Sequence, residues 1–152
     1  MNWTDYVAII ISTIALLLSI FQFFVERRIN RQESTINAFS ELQKEVLNKE
    51  KYYKADVNSI LENHKKLKEN ETDEEWEQVS EFLARIEQFA VGVNTNVYSI
   101  KIVDRMAGSH LVKQYDRFKP IINYKREKSG TNKRYEEFEK MKDKLKTYNP
   151  NI

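Results

Sequence analysis

The sequence predicts an all-α protein in which a single N-terminal transmembrane helix continues into a long helix, followed by a cytoplasmic helical bundle. Three observations predict it. Twenty consecutive residues, Tyr6 to Val25, carry no charge. The 152 residues hold only three Gly and two Pro, and none of them falls between Met1 and Val91. Beyond Glu26 the chain is rich in Glu, Lys, Leu and Ile, with apolar residues recurring at three-four spacing, the period of a helix that buries one face.

The first element is the span YVAIIISTIALLLSIFQFFV. At about 1.5 Å per residue it covers about 30 Å, the thickness of a bilayer's hydrocarbon core. Trp3 and Tyr6 at one end, and Phe21, Phe23 and Phe24 at the other, suit the two interfaces. A cleaved signal peptide is disfavoured, because the leading MNWTD carries an acid and no base and no small-x-small site follows. Arg27, Arg28 and Arg31 come directly after the apolar run. The positive-inside rule therefore places the N-terminus outside and the rest in the cytoplasm.

One stripe of the span is different from its surroundings. Alternating steps of three and four lead through Asp5, Ala8, Ser12, Ala15, Ser19, Gln22 and Glu26, each small, polar or acidic. Ala8-xxx-Ser12 and Ala15-xxx-Ser19 suit close helix packing. Gln22 and the two end carboxylates suit a water-filled path lined by several copies, with rings of Asp5 and Glu26 attracting cations at its mouths. One span cannot enclose a path, so a homo-oligomer of four or five copies is expected.

Past the membrane, Ile29, Ile36, Phe39, Val46, Tyr53, Val57, Ile60 and Leu67 keep a similar spacing. They predict one long helix to about Glu69, with its seam toward neighbouring helices. Three segments follow: a transmembrane segment over 1–25, a connecting helix over 26–70 and a cytoplasmic helical domain over 71–152. In the last, Thr72 and Glu75 form a capping box before a helix whose face is Trp76, Val79, Phe82, Leu83, Ile86, Phe89, Ala90 and Val93. Gly92 and Asn94-Thr95-Asn96 end it. Shorter helices are expected from Ser99 to Met106 and from Ser109 to Lys128, separated at Gly108, with a kink at Pro120 near Phe118. After the turn Ser129-Gly130-Thr131, a charged helix spans about Asn132 to Lys146.

Charge is divided unevenly. Residues 26–96 hold 11 basic and 15 acidic side chains, whereas residues from 97 onward hold 14 basic and seven acidic. The basic ones are interleaved with Tyr98, Tyr115, Phe118, Tyr124 and Tyr135. Basic residues among aromatics can hold nucleotides by phosphate contact and base stacking, and a solvated surface near anionic lipid has the same composition. Arg117, Lys125 and Arg126, flanking Pro120, are the candidate anion ligands. His64 and His110 lie far apart and read as structural, and no Cys is present. Without a phosphate loop, a zinc-binding HExxH or a nucleophile elbow, nothing supports an enzyme, a cofactor or a metal site.

The stretch FLARIEQFAVGV, followed by VYS, Gly108 with Leu111 and Tyr115, FKPIINYKR and YEEFEKMKDKL, resembles a bacterial family known as a domain of unknown function (family 4760). The resemblance implies one membrane helix before a helical cytoplasmic unit in a bacterial cell membrane, and brings no catalytic residue. The layout is also similar to that of small membrane effectors of anti-phage systems, the channel effector of the Hailong system among them. That similarity implies gating by a nucleotide or oligonucleotide signal from a partner nucleotidyltransferase. The expected function is thus a homo-oligomeric, cation-conducting membrane channel in anti-phage defence. A membrane-tethered helical scaffold that recruits a protein partner is the alternative.

Overall fold

The structure is a computed structural model that describes residues 2–47, 56–66 and 73–152. Five α-helices make up most of them, and there is no strand among the described residues. Helix α1 runs from Trp3 to Leu42, 40 residues without a break, and passes into a π-helical turn, Gln43–Leu47. Its N-terminal half is long and apolar enough to cross a membrane, and none of that stretch is buried against the rest of the chain.

The expected single helix to Glu69 is not formed. Helix α2, Val57–Lys66, begins anew after Asp56, which lies outside the helix. The Asp56 carboxylate accepts the Asn58 N–H at 3.1 Å, and its carbonyl accepts the Ile60 N–H at 3.0 Å. An aspartate that satisfies the first backbone donors starts a helix better than it continues one. Of the expected seam, Tyr53 and Leu67, and the side chain of Val46, lie outside the described residues.

Helix α3, Glu74–Asn94, is capped by Asp73, whose carboxylate accepts the Trp76 N–H at 3.0 Å. Thr72 of the expected capping box lies outside the described residues. The anticipated apolar face is buried from Val79 to Val93, with Trp76 half-buried at its start. Gly92 does not end α3. It sits inside the helix because a side chain there would overlap the ring of Tyr98. Helix α4, Ile100–Ser129, holds the two expected helices, which meet at a backbone break at Ala107 (φ −159, ψ 18), beside the Gly108 expected to separate them. The expected kink at Pro120 is absent from the dihedrals, which stay helical there. Gly130, at φ 64, closes α4 in the left-handed region that a residue without Cβ adopts most easily. Helix α5, Glu136–Tyr148, starts four residues later than the expected Asn132.

The core joins all five helices. Phe39 and Leu42 of α1 and Val57 and Ile60 of α2 belong to it, along with the faces of α3, α4 and α5. Phe82 packs on Phe118 with centroids 5.0 Å apart, and Tyr115 meets Phe138 edge-on at 5.2 Å. Each such side chain contributes about 1.5–3 kcal/mol by leaving water.

Helices α3 and α5 run side by side in one sense and satisfy each other's ends. Glu87 accepts the N–H groups of Glu137 (3.1 Å) and Phe138 (2.7 Å), which open α5. Lys144 donates to the Val93 carbonyl, near the end of α3, at 3.1 Å. Burial raises the Glu87 carboxyl above its ordinary range, and the two backbone donors oppose that shift. Because Tyr135 offers no side-chain cap, Glu87 is the carboxylate that caps α5. Glu87→Ala is expected to cost about 2 kcal/mol in denaturant unfolding, the value of hydrogen bonds to a charged group. Glu87→Gln should cost less, since the amide oxygen still accepts.

Candidate functional site

Two regions carry the features that the sequence singled out: the uncovered side of α1 and a cleft among α2, α3 and α4. In α1, Ala8, Ser12, Ala15, Ser19, Gln22 and Glu26 are all exposed. Asp5 belongs to the same helix, and its side chain lies outside the described residues. The Ser19 hydroxyl donates to the Ala15 carbonyl at 2.9 Å, so its proton is satisfied within the helix and only its lone pairs face outward. Thr13 does the same toward Ile9 at 2.8 Å, which lets it tolerate hydrocarbon.

The continuation of that stripe stays open. Ile29 (54% exposed) and Ile36 (44%) follow Glu26 on nearly the same side of α1. The expectation that Phe39, Val57 and Ile60 share this seam is corrected: all three are buried in the core of their own chain. At about 100° per residue, Thr35, nine positions past Glu26, points roughly 180° away from it. The bundle therefore docks on the side of α1 opposite the stripe, through Arg31, Thr35, Ala38, Phe39 and Leu42.

That docking is specific. Thr35 is fully buried, donates to the Arg31 carbonyl at 2.6 Å and accepts the Ser99 N–H at 2.8 Å. Arg31 donates to the Tyr98 carbonyl at 3.1 Å. Phe89 packs edge-on against Phe39 (5.9 Å) and is stacked with Tyr98 (5.3 Å). The α3–α4 turn is thus clamped to α1 just below the apolar run.

The second region is a cleft of about 370 Å³ lined by His64, Trp76, Tyr124, Lys125, Lys128, Ser129 and Arg134. His64 lies flat on Trp76, centroids 3.7 Å apart, and Tyr124 stands edge-on to both at 5.9 and 5.7 Å. The Lys125 ammonium sits 4.9 Å from the Trp76 ring centre, donates to the Ser80 hydroxyl and reaches the Tyr135 hydroxyl at 3.3 Å. Only 7% of Lys125 is exposed. Burial, then the charge of Arg134, push its ammonium down to about 8. His64 is lowered by burial, with Asp73 opposing and Lys125 and Lys128 adding to the shift. The cleft therefore combines flat aromatic surfaces with cations, a combination that suits a planar anion.

Of the three candidate anion ligands, the structure places Lys125 in this cleft and leaves the other two elsewhere. Arg126 is held by Glu139 at 2.8 Å and by the Arg134 carbonyl at 2.8 Å, so its guanidinium is already neutralised. The Arg117 guanidinium lies 5.5 Å from the centre of the Phe118 ring. The sequence reading missed His64, read as structural, and Trp76, read as part of an apolar helix face. A tryptophan in the first turn of a helix, beside an aspartate cap, was the available signal.

Fold and site together define a class: one helix fit to cross a membrane, clamped to a compact helical bundle. The family model described as a domain of unknown function, DUF4760, matches residues 9–145. The chain belongs to that family. No curated protein and no solved structure matches it.

Proposed function

We propose that this chain forms a homo-oligomeric, cation-conducting membrane channel, opened by a nucleotide-derived anion bound in its cytoplasmic helical bundle. The observation that carries this reading is the placement of the bundle. The bundle leaves Ala8 through Glu26 uncovered on every side of α1, and by docking opposite the stripe further on it keeps Ile29 and Ile36 exposed in line with them. Polar residues of a span turn to protein or water, and exposed isoleucines below it turn to other apolar surface. Copies brought together on that side satisfy both demands, with the bundles arrayed outside the axis.

In that assembly Ser12, Ser19 and Gln22 wet the wall of the path, while the carboxylates of Glu26, and of Asp5 at the far end, favour cations. The cleft beside Lys125 supplies the regulatory site. A base stacks against its aromatic side chains, and phosphate meets Lys125, Lys128 and Arg134. The clamp at Thr35 and Tyr98 transmits the resulting shift of the bundle to α1. The setting is a bacterial cell membrane with the bundle in the cytoplasm, and conduction would dissipate the membrane potential in an infected cell. A neighbouring nucleotidyltransferase would be the source of the signal.

The test is ion flux through proteoliposomes of the full-length protein, challenged with nucleotides and short oligonucleotides. Cation flux is expected from the wild type, with conductance lowered in Gln22→Leu and cation preference weakened in Glu26→Ala. Unchanged conductance and selectivity in both variants would remove the pore assignment. A complete lack of flux with every compound would favour a membrane-tethered scaffold.

A further inference from the structure

A second basic cleft lies where α1 leaves the membrane, and nothing in the channel reading requires it. It measures about 630 Å³ and is lined by Arg27, Arg28 and Arg31 of α1 and by Asn96, Ser99 and Lys101 of the α3–α4 turn and the start of α4. Among the described residues, no carboxylate lines it. Neither Arg28 nor Lys101 has an ion-pair partner among the described residues. Arg31 directs one terminal nitrogen to the Tyr98 carbonyl, while its buried Nε has no hydrogen-bond partner. Ser99, the N-cap of α4, lines the same cleft and makes no side-chain capping bond.

Four cations gathered without a counter-charge repel one another, and an anion among them removes that cost. Depth decides which anion. Arg27 to Arg31 lie about 3–9 Å past Val25 along the helix, the depth of the phospholipid headgroups. Val97, in the turn that forms the cleft's other wall, is an apolar lining residue and is 57% exposed. An exposed valine beside a basic cleft suits the boundary between headgroups and acyl chains.

We infer that this cleft binds the phosphate of an anionic phospholipid, holding the α3–α4 turn against the membrane surface. The inference rests on α1 as the membrane anchor and is independent of any conducting path. It is tested by native mass spectrometry of the full-length protein released from nanodiscs of equal phosphatidylglycerol and phosphatidylcholine. Phosphatidylglycerol adducts are expected to dominate in the wild type. Arg28→Gln and Lys101→Gln should each reduce that preference about fivefold, the loss of one cation–headgroup attraction of about 1 kcal/mol. Arg28→Lys should keep it. Equal retention of both lipids by the wild type, or an unchanged preference in both Gln variants, would overturn the assignment. A third arm uses phosphatidylcholine nanodiscs with inorganic phosphate against matched chloride. Thermal stabilisation by phosphate equal to that given by phosphatidylglycerol would assign the cleft to a soluble anion and overturn the lipid reading. A chloride-like response supports it.

Discussion

Gly92→Ala is expected to destabilise the protein by about 2 kcal/mol, although the same change in an open helix would stabilise it by about 1 kcal/mol. The sign is set by Tyr98. Its ring fills the space where a Cβ on Gly92 would lie, and its N–H donates to the Gly92 carbonyl at 2.8 Å. A methyl group there forces the ring away, at an overpacking cost of about 1–3 kcal/mol. It also disturbs the stack on Phe89, worth about 0.5–1.5 kcal/mol. Those losses exceed the gain in helix propensity. Denaturant unfolding in detergent measures the change, and a double-mutant cycle identifies its source. In a Tyr98→Ala background, Gly92→Ala should become neutral or stabilising. The same destabilisation in both backgrounds would show that the close approach is not its cause. Because Tyr98 also accepts from Arg31, the variant should loosen the clamp between α1 and the bundle as well.

Lys125→Met is expected to abolish the response to an anionic ligand while leaving the fold intact. Methionine keeps most of the buried stem and removes an ammonium whose burial is costly, so stability should change by less than about 1.5 kcal/mol. Ser80 keeps a partner because its hydroxyl donates to the Trp76 carbonyl at 2.6 Å. Isothermal titration with whichever nucleotide raises ion flux in the proteoliposome assay checks the loss. Ligand binding unchanged in Lys125→Met would exclude the cleft as the site. Arg126→Gln provides the contrast. It should cost stability through the lost Glu139 and Arg134 bonds, with binding little affected.

The same lysine sets a pH signature. Its folded value of about 8 lies below the ordinary 10.5, so above pH 8 the folded chain releases a proton that the unfolded chain keeps. Stability should therefore rise from about pH 8 toward 10. Burial raises the phenols of Tyr115 and Tyr135, so above the ordinary tyrosine value of 10.0 the unfolded chain loses those protons first and the trend reverses. Lys125→Met should flatten the rise between pH 8 and 10, as read from denaturant midpoints across that range. A rise of equal size in the variant would assign it to another group.

Much of the architecture is local, and local patterns could be read directly. The uncharged run, the periodic face from Val79 to Val93 and the turn at Gly130 each depend on residues within a few turns of one another. Breaks were harder to place. Asp56 and Asp73 act as caps, and the helix continues unbroken through Pro120, whereas the break expected at Gly108 is present one residue earlier, at Ala107. In each case a side-chain oxygen or a backbone dihedral decided the outcome, and hydrophobic period is blind to both.

The sequence by itself determined the helical class, the apolar span, the polar stripe along it and the basic character of the C-terminal half. Only the tertiary structure decided which side of α1 the bundle covers, because a periodic face states that something must shield it and not what does. It also decided that His64, Trp76 and Lys125 share one cleft while Arg126 turns to Glu139. Those neighbours come from three different helices, and their meeting depends on the packing of Phe82, Phe118, Tyr115 and Phe138 between them. Long-range packing selects one partner among many of equal local merit, and that selection has no signature within a single turn of helix.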